Sequence, residues 1–136
     1  MRTRTFAFIS LLAILSLMAS CTPFALNDAL GEWEAASGTI KGVPATNIHL
    51  SVMSDGQMYD AGWDTTDNHY WLHCDGSTAK NVFTGFYDGN DDDGQIADDQ
   101  QITITLSLKN GKLSAKFTGA GPLDGVTFTD LTKATL

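Results

Sequence analysis

Apolar and polar residues alternate on both sides of Asn110-Gly111, from Ile102 to Phe117. An alternation with period two places one set of side chains on the buried face of a β-strand and the other set in water. Asn-Gly is a preferred dipeptide of two-residue hairpin turns, because both positions must adopt positive φ. This stretch therefore predicts two antiparallel strands joined by a tight turn, and it favours an all-β fold.

Similar short runs, rich in β-branched and aromatic residues, recur along the chain from Gly31 onward. The sequences SDG at 54–56 and DGS at 75–77 carry the residues of further tight turns. Eight such runs predict a single small antiparallel up-and-down β-barrel, whose closure removes exposed edges, with a β-sandwich as the alternative. A barrel of eight strands is either filled by side chains or holds one small ligand. The predicted strands lie near residues 32–40, 46–53, 57–63, 69–74, 79–87, 100–108, 112–118 and 125–133.

The N-terminus carries the features of an export signal. Arg2 and Arg4 precede an apolar run from Phe6 to Met18, which is shorter than the ~20 residues that cross a bilayer. The sequence LMASC, which ends at Cys21, resembles a bacterial lipobox. The resemblance implies a lipoprotein signal peptide and a mature chain that begins with a lipidated Cys21.

A lipobox divides the chain into a signal peptide at residues 1–20, a lipidated tether at residues 21–30 and a barrel domain at residues 31–136. Acyl chains on Cys21, at about 0.8 kcal/mol for each buried methylene, would form a stable membrane anchor. In lipoproteins of bacteria with two membranes, an Asp in the place of Thr22 favours the inner membrane. The sequence therefore predicts a lipid-anchored protein of the bacterial cell envelope, at the outer membrane.

The charge of the mature chain limits its partners. Without residues 1–20, six lysines stand against sixteen acidic residues, a formal net charge of −10, and no arginine remains. Such a negative charge favours solubility and disfavours binding to nucleic acid and to anionic lipid headgroups. A basic protein remains a suitable partner.

The stretch HYWLHC, residues 69–74, contains residue types that bind metals or act as nucleophiles. On a strand, His69 and His73 share one face with Trp71, and the two histidines stand ~13 Å apart. One zinc ion holds its imidazole nitrogens at ~2 Å, so these two histidines cannot chelate it alone. Cys74 lies on the opposite face from His73 and, with Cys21 lipidated, has no disulfide partner. We therefore expect an ordinary strand with a buried thiol, with an intermolecular or cross-strand metal site as the alternative.

An acidic stretch between residues 88 and 99 is too long for a tight hairpin. The carboxylates of Asp88, Asp91, Asp93 and Asp99 are of the kind that Ca²⁺ collects in loops, and the stretch contains part of a calcium-loop pattern. Its flanking strands and the missing Glu exclude an EF-hand. The sequence leaves two alternatives, a calcium site or a solvated loop, and indicates no other cofactor.

Aromatic residues cluster in the first two-thirds of the mature chain and occupy both faces of the middle strands. One face forms the core, and the excess could line a pocket or a contact patch. We predict Tyr59, Trp63, Trp71 and Phe86 as ligand-binding residues. The chain has no nucleophile elbow, metalloprotease helix or phosphate loop, so we expect a binding protein and not an enzyme.

Gly31-x-Trp33, which opens the first predicted strand, resembles the start of lipocalin-type barrels. The resemblance implies that Trp33 packs across the closed end of a barrel that binds a small apolar or neutral ligand. In that family a later arginine stacks on the tryptophan. Here Lys133 is the only basic residue near the C-terminus.

A second resemblance lies in residues 74–91, CDGSTAKNVFTGFYDGND. The order Cys-Asp-Gly, hydrophobic strand, Tyr-Asp-Gly is similar to that of lipoprotein inhibitors of lysozyme. It implies the alternative function, a protein-binding periplasmic lipoprotein that acts as an inhibitor or as a component of envelope assembly.

Overall fold

A computed structural model describes residues 23–89, 99–119 and 121–135. Each strand pairs antiparallel with the next, and β1 pairs with β8, so the eight strands close into an up-and-down barrel. This confirms the predicted fold and excludes the β-sandwich. The elements are helix α1 (Leu26–Ala29) and strands β1 (Gly31–Ile40), β2 (Val43–Met53), β3 (Met58–Asp64), β4 (His69–Ala79), β5 (Val82–Gly89), β6 (Gln100–Lys109), β7 (Lys112–Gly119) and β8 (Thr127–Lys133).

Two tight hairpin turns have the backbone that their sequences require. Asn110 and Gly111 have φ of 53° and 73° and connect the paired residues Lys109 and Lys112. Lys41 and Gly42 repeat this geometry between β1 and β2, with φ of 51° and 79°. Positive φ at both positions gives the turn a twist that matches the strands. The turn predicted at Asn110-Gly111 is confirmed.

The turn predicted from DGS at residues 75–77 is wrong. Strand β4 continues to Ala79, and the chain reverses at residues 80 and 81. Gly76 pairs with Gly85 on β5, and a Cβ atom on Gly76 would lie only 2.9 Å from Cζ of Phe83. The glycine therefore makes room for an aromatic ring and a close strand approach, which is the other common role of glycine within a strand.

Apolar side chains from all eight strands fill the barrel interior. Aromatic rings link the strands: the Phe117 and Phe128 centroids lie 5.0 Å apart, and those of Tyr59 and Phe83 lie 4.4 Å apart. Among the described residues, every buried side-chain nitrogen or oxygen has a hydrogen-bond partner. The packing is therefore that of a protein core, in which a change of one methylene already affects stability.

Trp33 anchors the end of the barrel that α1 covers, which we call the closed end. Its side chain is 2% exposed, and its indole N–H donates to the carbonyl oxygen of Ala29, the last residue of α1, at 2.8 Å. Trp33 also pairs with Lys133 where β1 meets β8, and Lys133 Nζ lies 5.5 Å from the centre of its ring. Lys133 thus places a cation over the ring of Trp33.

The segment before β1, residues 23–30, packs on the closed end. Phe24, Leu26 and Leu30 are partly buried against the core, and Ala29 is fully buried. The predicted signal peptide and the lipidated Cys21 lie outside the described residues. Within the described ranges, no helix combines the length and the apolar character needed to cross a membrane.

Replacing Trp33 by Ala should lower the free energy of unfolding by ~3–5 kcal/mol, because it empties a large aromatic site in a packed core. Trp71→Ala is the matched control. This tryptophan is 41% exposed, so its loss should cost at most about 1 kcal/mol. Urea unfolding followed by circular dichroism measures both. Equal losses for the two variants would contradict the role assigned to Trp33.

Candidate functional site

The end of the barrel opposite α1, which we call the mouth, contains a recess of about 360 Å³. The β1–β2 turn, the β3–β4 turn and the β7–β8 connection surround it. The β3–β4 turn is held by its own hydrogen bonds, from the Thr65 amide to the Asn68 carbonyl at 2.8 Å and from the Asn68 amide to the Thr65 hydroxyl at 3.1 Å. The lining residues are Ile40, Lys41, Val43, Trp63, Thr65, Thr66, Asp67, Asn68, Tyr70, Pro122 and Val126.

A stacked aromatic pair forms part of the apolar lining of this recess. Trp63 on β3 pairs across the sheet with Tyr70 on β4, and their ring centroids lie 4.6 Å apart at an interplanar angle of 16°. Trp63 is buried and also meets the edge of Phe128. Tyr70 is partly exposed, and the Asn68 side-chain amide donates to its hydroxyl at 3.2 Å. The stack therefore joins the core to the recess.

Polar side chains line the rest of the recess. Lys41 Nζ donates to the carbonyl oxygen of Pro122 at 3.4 Å, which connects the β1–β2 turn to the β7–β8 connection. Asp67 and Thr66 are exposed on the β3–β4 turn. The recess therefore combines apolar walls with a few donors and acceptors, as ligand pockets commonly do.

The structure separates the four residues predicted to bind ligand. Trp63 lines the recess. Tyr59 is fully buried, and its hydroxyl hydrogen-bonds the Thr78 hydroxyl at 2.9 Å; burial raises the pKa of Tyr59. Trp71 and Phe86 lie on the outer surface of the barrel, 41% and 58% exposed. These four side chains therefore do not line one pocket.

Sequence reasoning missed Tyr70 and Asn68 as residues of the recess. The register of β3 and β4 pairs Trp63 with Tyr70 across the turn, and alternation along a single strand does not give that register. Residues that face each other across a hairpin lie on the same side of the sheet, so a buried Trp63 places Tyr70 inside the barrel too.

The outer surface of β4 carries the other predicted feature. His69, Trp71 and His73 face outward, whereas Leu72 and Cys74 are fully buried, which confirms the predicted division of faces and the buried thiol. Burial raises the pKa of Cys74 to about 12. Because Cys74 points into the barrel and His73 points out, they form no thiolate–imidazole pair.

Two of the outward histidines hydrogen-bond carboxylates on β3. His73 contacts Asp60, and His69 contacts Asp64, each directly across the sheet. The hydrogen bond that His73 donates to the Asp60 carboxylate raises the pKa of His73, because it favours the charged imidazolium. Hydrogen bonds from Asn47 and then His69 lower the pKa of Asp64, because they favour its carboxylate.

The third histidine of the chain, His49, lies on β2 beside the same surface. It pairs with Gly62, which in turn pairs with Trp71. The imidazole of His49 covers Gly62, where a Cβ atom would collide with it. All three histidines of the chain therefore surround Trp71: His69 and His73 along its strand, and His49 across Gly62.

The predicted calcium ligands lie only partly within the described residues. Asp88 is near the end of β5 and Asp99 directly precedes β6, whereas Asp91 and Asp93 fall in the part of the loop outside the described ranges. The calcium site stays a prediction. In the ranges that the structure describes, no three His, Cys, Asp or Glu side chains are grouped so that they could hold a metal ion.

Comparison of the chain with protein-family models, with curated proteins and with solved structures gives no match.

Proposed function

We propose that the protein binds a small, compact, neutral ligand with an apolar surface in the recess at the barrel mouth. The observation that carries this proposal is the Trp63–Tyr70 stack, which lines a recess of about 360 Å³ together with a few polar groups. A volume near the lower limit of ligand pockets, ~300 Å³, favours a molecule smaller than a typical lipid or drug.

The packed interior supports a site at the mouth. Large side chains such as Phe83, Phe117 and Leu72 fill the barrel below the recess. A long apolar ligand that entered the barrel would have to displace these side chains and break well-packed contacts. A ligand bound at the mouth displaces only solvent.

The polar groups around the recess indicate a ligand with one or two hydrogen-bonding atoms. The amide of Asn68 can donate and accept, and the ammonium group of Lys41 donates. The carboxylate of Asp67 lies in the same lining and offsets the charge of Lys41. With one cation and one anion in the lining, the recess favours a neutral ligand over a charged one.

Native mass spectrometry of the protein purified from its own host tests the proposal. The protein should retain a small molecule as added mass. Tyr70→Ala should weaken the affinity roughly two- to tenfold, in line with the ~0.5–1.5 kcal/mol of an aromatic contact, and so lower the occupied fraction. Asn68→Ala should also reduce it without removing any core ring.

Phe86→Ala is the matched control for this experiment, because it removes an exposed aromatic ring from the outer surface and should leave the added mass unchanged. Melting curves establish that each variant is folded. Equal occupancy in the wild type and in both mouth variants would contradict a site at the mouth.

We also propose that the protein is anchored by lipid at Cys21 to the bacterial cell envelope, at the outer membrane. The Arg2 and Arg4 charges, the apolar run after them and the sequence LMASC support this location.

Replacing Cys21 by Ser should move the protein from the membrane fraction to the soluble fraction, because the acyl chains are the proposed anchor. Cell fractionation measures the shift, and Cys74→Ser, which changes the buried cysteine, is the control. A Cys21→Ser protein that still sediments with membranes would contradict lipid anchoring.

A further inference from the structure

The charges on the barrel wall are divided between two sides. Strands β1 to β5 contain six acidic residues and no lysine or arginine, whereas β6 to β8 contain four lysines and one acidic residue. We call the outward surface of β1 to β5 the acidic wall. Its acidic residues are Glu32, Glu34, Asp60, Asp64, Asp75 and Asp88.

The acidic wall also carries exposed aromatic rings. Trp71 is 41% exposed and Phe86 is 58% exposed, and Phe86 pairs across the sheet with Asp75. The other two tryptophans, Trp33 and Trp63, are buried. Aromatic rings that are partly exposed among charged groups are typical of contact surfaces between proteins.

The surroundings of Trp71 suit a cationic side chain. Asp60 and Asp64 stand on β3 on either side of Gly62, which pairs with Trp71. Asp75 lies on the same strand as Trp71 and is 71% exposed at its side chain. A guanidinium or ammonium group above the face of Trp71 would gain a cation–π contact beside the carboxylates of Asp60 and Asp64 on the neighbouring strand.

We propose that the acidic wall, centred on Trp71, is a docking surface for a basic segment of another protein, which places an arginine or lysine on the Trp71 ring. Charge complementarity favours this occupant over a second copy of the chain, because the net charge of −8 makes copies repel one another. The docking surface is separate from the recess, so it does not depend on the ligand proposed there.

Protonation of His73 should weaken this docking. His73 contacts both Asp60 and Asp75, so the three side chains carry two negative charges when the imidazole is neutral and one when it is protonated. A basic segment keeps its charge over the same pH range. Affinity should therefore rise as pH increases from 5.5 to 8. The titratable groups that face Trp71 and its neighbours are His49 on β2, Asp60 and Asp64 on β3, His69, His73 and Asp75 on β4, and Asp88 on β5.

Calorimetric titration of the full-length protein with a hexaarginine peptide tests the proposal. Trp71→Ala changes no charge and should weaken binding about threefold, as a surface cation–π contact would predict. Asp75→Asn should weaken it roughly two- to fivefold. Asp130→Asn removes the same charge from β8, on the other side of the barrel, and should leave the affinity unchanged.

Three results would overturn the proposal. If Asp130→Asn weakened binding as much as Asp75→Asn, or if Trp71→Ala had no effect on binding, the peptide would be attracted only by the net negative charge of the whole protein. A second copy would be the occupant if sedimentation showed concentration-dependent dimers that Lys116→Glu abolishes. Affinity that stayed constant between pH 5.5 and pH 8 would exclude a role for the histidines. The melting temperature of each variant establishes that it is folded.

Discussion

The closure of the barrel at Trp33 is the interaction on which the rest of the structure depends. The indole donates to the last carbonyl of α1, while the backbone of Trp33 pairs with Lys133 on the final strand. One residue therefore joins the segment before the barrel, the first strand and the last strand. The first and last strands pair at Trp33 with Lys133 and at Glu34 with Thr132, so closure protects part of the edge that an open sheet would expose to other chains.

A closed and filled barrel restricts where the protein can bind other molecules. The interior is occupied by rings such as Phe83 and Phe117, and the two proposed binding surfaces therefore lie at the mouth and on the outer wall. The two surfaces differ in chemistry. The mouth offers a small concave recess lined partly by Trp63 and Tyr70, whereas the acidic wall offers carboxylates and an exposed Trp71. The first suits a small neutral molecule and the second a basic protein segment.

The sequence predicted the fold well because its strand signals are local. The alternation around Asn110-Gly111 predicted two strands and their turn from neighbouring residues alone. Gly76 shows the limit of such reasoning. Glycine serves both in turns and where side chains need space, and only the position of Phe83 across the sheet decides between the two.

The candidate site was harder to predict. The alternation of apolar and polar residues assigns each side chain to the inner or the outer face of its strand, but it does not show which residues of neighbouring strands lie side by side. The alternation correctly placed Trp71 and Leu72 on opposite faces of β4. Only the pairing of β3 with β4 shows that Trp71 lies outside the barrel and Trp63 inside it. The three histidines lie around Trp71 only because of the register of β2, where a bulge near Asn47 shifts the pairing with β3.

Hydrogen exchange of the three tryptophan indole N–H groups, followed by NMR, tests the central claim most directly. The account predicts that the Trp33 indole N–H persists long after that of Trp71 has exchanged, because it is buried and bonded to Ala29 at the closed end. Exchange of the Trp33 and Trp71 indole N–H groups at the same rate would contradict the closure of the barrel at Trp33.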